Sequence, residues 1–281
     1  PAARAAGDGG RIGAPRRCHT NPRARAALAA LLLVLTAPAR AALLWERVPL
    51  PPEVVDFNAY RLAAGDGLLY VGGARVSMGF FIRDVELVSK DGATFSLLPP
   101  SPIAGWSHVW AAVDGGRLHK LVRVSDDAPP RRYVVATWDP AAAAWSASPE
   151  LVAEPGAEDY AASLAARDGV LYVGTTAGAL LALTGGAWRP VPIDIARPDQ
   201  PRLPPRFAPE EGSRFVLTTG GLGRLDRGRV VLADERLRGA DVRAALPSGD
   251  GLLVQRYEAG RLLVGRLAAA GRARLAAAEA G

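Results

Sequence analysis

An all-β chain built from repeats is the fold class that this sequence predicts, and three features of its 281 residues predict it. The phrase GDGLLYVGG at residues 65–73 returns almost unchanged as RDGVLYVGT at residues 167–175. The 31 Gly and 23 Pro are scattered between short apolar runs, as expected for turns between many short strands. An apolar fraction of 49% with 22% charged residues is an ordinary balance for a folded domain.

Two sequence motifs, called marks below, recur along the chain at matching intervals. The first mark is an Asp-Gly turn before an apolar strand, and it occurs at Asp66, Asp114, Asp168 and Asp250, with SRFVLTTGG at residues 213–221 as a degenerate copy. The second mark is an aromatic residue followed four positions later by Pro, and it occurs at Trp45, Phe95, Trp145 and Trp188. Each of the first three aromatic residues precedes the next Asp-Gly turn by 19 to 23 residues, which indicates one repeating unit.

Each repeating unit is predicted to form four strands. One strand precedes the Asp-Gly turn, a second follows it, a third comes next, and a short aromatic strand ends at Pro, which cannot donate to a ladder. Four strands in roughly 40 to 50 residues match the size of a β-propeller blade. The sequence therefore predicts a β-propeller of about five four-stranded blades over residues 42–271.

The two ends of the predicted propeller complement each other. The last unit supplies three strands, whereas the chain has a surplus aromatic strand at its start, LLWERVPLP at residues 43–51. Pairing this strand with the last blade would close the ring and leave no open sheet edge. The alternatives are an open β-sandwich with similar hairpins, or six or seven blades if the chain is a fragment.

The positive charge of the chain lies in its first 41 residues. The formal charge is +6, and residues 1–41 contain seven Arg and a single acid, Asp8, so the rest of the chain is neutral overall. Nucleic-acid binding needs a basic surface on the folded domain, and the sequence predicts none.

The basic block precedes an apolar run, ALAALLLVLTA at residues 27–37, and then the small residues of Ala39-Arg40-Ala41. This order is typical of a secretory signal peptide, and the run is shorter than the ~18 residues of a spanning helix. We expect cleavage after Ala41, a secreted or periplasmic bacterial protein with no stable membrane span, and a C-terminal tail at residues 272–281. The alternative is an ordinary buried helix at residues 27–37.

Two known propeller families share motifs with the repeats. LYVGG at residues 69–73 and the later SHVWAAVDGGRLHKL at residues 107–121 resemble the kelch repeat, with its paired glycines and spaced aromatic residues. SKDGATF at residues 89–95 resembles the Asp-box turn of sialidase-like propellers, although it is one residue short and ends in Phe95. Both resemblances imply a propeller and leave the activity open, because propellers host many functions.

The sequence contains no recognisable catalytic set. It has no G-x-S-x-G motif for a serine hydrolase. A metal site would need clustered His, Cys, Asp or Glu, but beyond residue 41 the chain has no Cys, and we expect structural roles for His108 and His119. The sequence therefore predicts no cofactor and no metal, and it favours a non-enzymatic protein without excluding an enzyme.

Propeller geometry points to a candidate ligand site. The first strand of each blade lines the central channel, and the loop that leads into it forms one face of the ring. Counting eight and six residues back from each Asp-Gly turn selects aromatic and polar residues, and Asp241 is a nearby acid. The predicted ligand-binding residues are Asn58, Tyr60, Trp106, His108, Tyr160 and Asp241.

The alternative for each of these aromatic residues is packing between blades, and Trp145 and Trp188 on the repeated outer strand are expected to be structural. The favoured function is a non-catalytic secreted or periplasmic propeller that binds a protein or glycan on one face. The alternative function is a sialidase-like or other glycan-acting enzyme. The sequence leaves the oligomeric state open.

Overall fold

The computed structural model describes residues 49–54, 57–77, 80–125, 130–152, 161–195, 203–208, 213–248, 251–258 and 261–268. The chain divides into two units, residues 1–47 and residues 48–281, and the described residues all belong to the second unit. The predicted signal peptide and the predicted C-terminal tail lie outside the described residues. Within these ranges, no helix is long and apolar enough to cross a membrane.

The described residues form 20 strands in five antiparallel sheets. Sheet 1 contains β1 (Phe57–Gly65), β2 (Leu68–Ser77), β3 (Phe80–Ser89) and β4 (Ser96–Leu97). Sheet 2 contains β5 (Trp106–Asp114), β6 (Arg117–Arg123), β7 (Arg132–Asp139), β8 (Ala144–Ala147) and β9 (Leu151–Val152). Sheet 3 contains β10 (Ala161–Arg167), β11 (Val170–Thr175), β12 (Leu180–Thr184) and β13 (Ala187–Val191).

Sheet 4 contains β14 (Arg206–Phe207), β15 (Phe215–Thr218), β16 (Gly221–Asp226) and β17 (Arg229–Leu232). A short 3-10 helix, Glu235–Leu237, leads to the last sheet. Sheet 5 contains β18 (Asp241–Ser248), β19 (Gly251–Glu258) and β20 (Arg261–Ala268).

The five sheets form a ring, and the fold is a five-bladed β-propeller, as the sequence predicts. Consecutive sheets meet through their inner strands, because β1 contacts β5, β5 contacts β10, and β10 contacts β14. Sheet 5 joins sheet 4 through contacts of β18 with β15 and β16. Four apolar clusters fill the junctions between sheets 1 and 2, 2 and 3, 3 and 4, and 4 and 5.

The repeated Asp-Gly phrase is a hairpin that also ties neighbouring sheets together. Asp66 and Gly67 join β1 to β2 with φ angles of 47° and 71°, the positive values of a type I′ turn. The Asp66 carboxylate accepts a hydrogen bond from the backbone N–H of Gly116 in sheet 2, at 3.3 Å. Asp114 accepts one from the N–H of Gly169 in sheet 3, at 3.0 Å. The acid therefore contributes to the contact between blades.

The aromatic-x-x-x-Pro mark has a similar physical cause. The indole N–H of Trp145 donates to the carbonyl oxygen of Pro99 at 3.1 Å, and Pro99 ends the same mark one sheet earlier. Trp188 repeats this contact one sheet later, donating to the carbonyl oxygen of Pro149 at 2.9 Å. These bonds join the outer parts of adjacent sheets, so both tryptophans have the structural role that the sequence predicts.

Sheet 4 departs from the predicted repeat. As a degenerate copy of the Asp-Gly phrase, residues 213–221 place FVLT after the turn, as the second strand, and β15 is the second strand of this sheet. Sheet 4 differs in that no Asp-Gly pair precedes β15. Arg167 at the end of β10 donates to the carbonyl oxygens of Ala208 and Ser213, each at 3.3 Å. The β14–β15 connection therefore occupies the place of the Asp-Gly turn, and the Thr219-Gly220 turn joins the second strand to the third.

The predicted closing strand lies largely outside the described residues. Sheet 5 has three strands within the described part of the chain, β18 to β20. Of residues 43–51, only 49–51 are described, and they are not in a strand. The pairing of this segment with β20 remains a prediction.

Candidate ligand site at the mouth of the channel

Three of the inner strands share an irregularity at the end distant from their hairpin turns. The register of β1 shifts around Tyr60, that of β10 around Ala162, and that of β18 around Arg243. Each of these residues lies six positions before the first residue of its two-residue hairpin loop. Such β-bulges turn side chains away from the regular alternation and are common beside functional sites.

A cavity of about 420 Å³ lies among the inner strands at this end of the channel. Four consecutive sheets contribute to it, and its lining residues are Trp110, Ala161, Ala162, Leu203, Pro204, Arg206, Leu217, Thr218, Val242 and Arg243. Most of these side chains are apolar, and the cationic groups are two guanidinium groups. A concave, mainly apolar cavity with few polar groups is the usual form of a small-molecule site.

Trp110 provides the aromatic part of the wall. It lies on β5 and is half-buried, because it packs against the apolar cluster between sheets 2 and 3. The indole therefore combines a fixed position with a surface that faces the cavity. Large aromatic side chains held in this way offer contact area to a ligand at a small cost in conformational entropy.

Arg243 is held by its own sheet. Its Nη2 lies 2.5 Å from Oδ2 of Asp241, and its guanidinium carbon lies 5.9 Å from the centroid of the Tyr257 ring. The second carboxylate oxygen of Asp241, Oδ1, is buried and accepts no hydrogen bond from the described residues. Asp241 thus neutralises the charge of Arg243 and orients its side chain.

Arg206 reaches the cavity from sheet 4. Its Nη2 donates to the backbone carbonyl oxygen of Arg243 at 2.8 Å, which joins β14 to β18. Among the described residues, no carboxylate forms an ion pair with this guanidinium. Its side chain is exposed, so its remaining N–H groups are accessible.

The position of β14 depends on its neighbours in sheet 3. The Ser163 hydroxyl donates to the carbonyl oxygen of Pro205 at 2.5 Å and accepts from the N–H of Gly174 at 3.1 Å. A Cβ atom at Gly174 would overlap the Pro205 carbonyl oxygen. Gly174 is therefore required for the approach of the segment that carries Arg206.

The residues predicted from the sequence fall into different groups. Asn58 and Tyr60 are exposed on β1 and do not line the cavity. The Tyr60 hydroxyl donates to Asp84 at 3.1 Å, and partial desolvation together with this carboxylate raises the pKa of Tyr60. Asp241 lies next to the cavity through its ion pair with Arg243.

The other predicted residues are Trp106, His108 and Tyr160. Trp106 and His108 lie on β5, but their side chains are outside the described part of the chain. Tyr160 lies outside the described residues altogether. Their roles in ligand binding remain predictions.

The alignment of the second repeat was wrong by one residue. The hairpin loop of sheet 2 is Gly115-Gly116, with φ angles of 57° and 69°, and Asp114 is the last residue of β5. Positive φ angles at both loop positions favour a Gly-Gly pair, which adopts them without strain. Position for position, Ser107 and Val109 correspond to Asn58 and Tyr60, instead of Trp106 and His108.

Sequence reasoning missed Trp110, Arg206 and Arg243. Counting from the first loop residue of each hairpin would have found Arg243, because it occupies the position of Tyr60 in the last sheet. No comparable signal marks Arg206, since the β14–β15 connection has no Asp-Gly turn.

Comparison with known proteins finds similarity of fold at low sequence identity. No protein-family model matches the chain, and no curated protein matches its sequence. Puromycin hydrolase matches with a TM-score of 0.49 and 16% identity, over 80% of this chain and 38% of that one. The present chain therefore spans well under half of that protein.

Two further structures illustrate the range of proteins with similar folds. The WD40 β-propeller domain of Doa1 matches with a TM-score of 0.42 and 12% identity, over 78% of this chain and 67% of that one. A GH43 β-1,3-galactosidase matches with a TM-score of 0.42 and 12% identity, over 78% of this chain and 93% of that one. At such identities the similarity concerns the fold alone.

Proposed function

We propose that this protein is an exported, non-catalytic β-propeller that binds a glycan in the cavity at the mouth of its channel. The observation that carries the proposal is the lining of the cavity, where Trp110, apolar walls and two arginines surround about 420 Å³. A sugar ring has an apolar C–H face that can lie on an indole and a rim of hydroxyls that accept hydrogen bonds from a guanidinium. The volume is within the range of roughly 300 to 1,000 Å³ that is common for small-molecule sites.

Export is the second part of the proposal. The order of a basic block, the apolar run at residues 27–37 and the small residues before Ala42 supports a cleaved leader. Mass spectrometry of the protein recovered from a secreting host should give a mature N-terminus at Ala42. An intact N-terminal segment on the recovered protein would contradict cleavage.

We also propose that the repeats of this chain are related to those of Asp-box and kelch propellers. Oδ1 of Asp91 accepts hydrogen bonds from the backbone N–H groups of Ala93 and Thr94, at 2.9 and 2.7 Å. These bonds hold the pKa of Asp91 below its usual range. The Ser89 hydroxyl also accepts from the N–H of Gly92 at 2.9 Å. This compact turn supports the resemblance of residues 89–95 to an Asp-box.

The experiment that tests the glycan site is calorimetric titration of residues 42–281 with a panel of mono- and oligosaccharides. We expect Trp110→Ala to weaken binding of the best ligand by about tenfold or more, because it removes the indole surface that lines the cavity. Tyr60→Ala is the matched control, since this exposed aromatic residue lies on the inner strand of sheet 1 and does not line the cavity. Circular dichroism melts verify that each variant is folded at the titration temperature.

The outcomes separate the candidate functions. Binding that depends on Trp110 and not on Tyr60 supports the cavity, whereas equal losses in both variants place the ligand across the ring of residues that the sequence predicts. Failure of every glycan to bind would overturn the proposal. Release of shortened glycan or free sugar during the titration would favour the alternative, a glycan-acting enzyme.

A further inference from the structure

The charges in the cavity favour one chemical class of ligand. We propose that the cavity selects a ligand with a compact anionic group, a carboxylate or a phosphate, and that Arg206 binds this group. The inference rests on the proposed function, because it specifies which glycans the site prefers: acidic ones.

Most N–H donors of the Arg206 guanidinium are available to a ligand. A guanidinium has five N–H donors in a planar fork that matches the oxygens of a carboxylate or phosphate. In the described part of the chain, the hydrogen bond of Nη2 to the Arg243 carbonyl oxygen is the polar contact of this guanidinium. That bond fixes the side chain near β18 and leaves most of the fork for a ligand.

Arg243 is not the equivalent of Arg206. Its ion pair with Asp241, at 2.5 Å, already balances its charge, and the Tyr257 ring lies beside it. The two arginines and Asp241 together leave one net positive charge beside the cavity. Because Asp241 forms an ion pair with Arg243, the net positive charge lies on Arg206.

The apolar walls beside Arg206 strengthen its attraction for an anionic ligand. Leu203, Pro204, Leu217 and Val242 supply apolar walls beside the guanidinium. A charge next to low-dielectric walls attracts an opposite charge more strongly than the same charge in bulk water. An anion that pairs with Arg206 can therefore keep its uncharged body against Trp110 and the apolar walls.

The test compares ligands that differ in charge on the same ring. Glucose, glucuronate and glucose 6-phosphate are titrated into residues 42–281, and into Arg206→Gln and Arg229→Gln variants. Arg229 is the matched control, because it is an exposed arginine on the outer strand of sheet 4 and its loss changes the net charge equally. We expect at least one acidic sugar to bind about tenfold more tightly than glucose, as a charged hydrogen bond predicts.

We expect Arg206→Gln to remove this preference, so that the acidic sugars bind no more tightly than glucose, and Arg229→Gln to leave the preference intact. The preference of the wild-type protein should also decrease as salt is raised from 50 to 500 mM. The arms with glucuronate and glucose 6-phosphate distinguish a carboxylate from a phosphate as the bound group.

Equal affinities for glucose and both acidic sugars, or an acidic preference that survives in Arg206→Gln, would overturn the inference. In that case, binding that is still lost in Trp110→Ala leaves the proposed function standing. Binding of none of the three sugars, with binding of a neutral oligosaccharide from the wider panel, also overturns only the inference. Failure of all glycans overturns both.

Discussion

His119 is a buried histidine whose environment keeps it neutral. It lies on β6, and its Nδ1 is 2.9 Å from the hydroxyl of Thr137 on the neighbouring strand. Burial lowers the pKa of His119 from 6.5 to about 4, because the charged ring would lose its hydration. The structure thus gives this residue the structural role that the sequence predicts for it.

The low pKa of His119 predicts a pH dependence of stability. Between pH 6.5 and about 4 the unfolded chain binds a proton at this ring and the folded chain does not, so acid favours unfolding in that window. We expect the free energy of unfolding to fall by roughly 1 kcal/mol for each pH unit from pH 6 to pH 4.5. Urea denaturation at several pH values measures this slope.

A His119→Gln variant tests the assignment. It has no ionisable group at this position, so its slope over the same pH range should be smaller by that amount. Carboxyl groups with a lowered pKa, such as Asp139 and Asp234, lose their contribution as pH falls further, below the window of His119. An identical slope in the wild-type protein and the variant would show that another group causes the pH dependence.

Among the structural elements, sheets 1 and 2 are joined by a buried polar cluster in addition to apolar packing. The ammonium of Lys120 on β6 lies 2.6 Å from Oε2 of Glu86 on β3. The Tyr70 hydroxyl donates to Oε1 of the same carboxylate at 2.6 Å, and burial raises the pKa of Tyr70. The Lys120 side chain is only 4% exposed, so its charge depends on Glu86 for compensation.

We expect Lys120→Met to lower the free energy of unfolding by about 2 kcal/mol or more, because it removes the nearer of two cations beside the largely buried Glu86 carboxylate. Arg61, at 3.9 Å from the same carboxylate, compensates only part of its charge. Lys90→Met is the control, because Lys90 is the only other lysine and is exposed. Equal stability of Lys120→Met and the control in urea denaturation would contradict the role of this pair.

The hairpins explain why the repeats are recognisable in the sequence. A two-residue loop with positive φ at both positions favours Asp, Asn and Gly, so the turn chemistry of the inner hairpins is visible without the fold. The loop Arg227-Gly228 shows that this preference is not absolute. The carboxylates of Asp66 and Asp114 then bind the next hairpin, which adds a contact between sheets to the local requirement.

At the scale of the whole molecule, the junction between the first and last sheets differs from the other four. The described residues form no apolar cluster between sheets 5 and 1, and Leu62 on β1 is 73% exposed. The inner strand β10 of sheet 3, by contrast, is buried on both faces. Within the described part of the chain, sheets 1 and 5 therefore share less apolar packing than the other pairs of neighbouring sheets.

This difference gives the predicted closing strand a measurable consequence. We expect a chain of residues 52–281 to be less stable than residues 42–281, because the edge of β20 would lose its partner. Each kcal/mol of lost stability should lower Tm by about 2–4 °C. Hydrogen exchange should show faster exchange in β20, with smaller changes in β10 and β11.

Removal of residues 1–41 alone is the control for this deletion and should leave both measurements unchanged. Equal protection of β20 in residues 42–281 and residues 52–281 would show that the segment at residues 43–51 does not complete sheet 5. Concentration-dependent recovery of protection in the shorter chain would show that a second copy covers the edge.

The sequence by itself determined the blades. Local chemistry was sufficient there, since the inner hairpin loops favour Gly and Asp and the outer strands repeat an aromatic residue and a proline at a constant spacing. The alignment on Asp-Gly was wrong by one position in sheet 2, where the loop is Gly115-Gly116. The turn signal was weak in sheet 4, where no Asp-Gly pair precedes the second strand.

Only the tertiary structure decided which side chains meet at the channel mouth. Trp110, Arg206 and Arg243 come from three different sheets, and no spacing along the chain relates them. The β-bulges set the direction of the side chains around Ala162 and Arg243, and the packing of Pro205 against Gly174 sets the position of Arg206. The cavity depends on these contacts between sheets, which a repeat pattern does not encode.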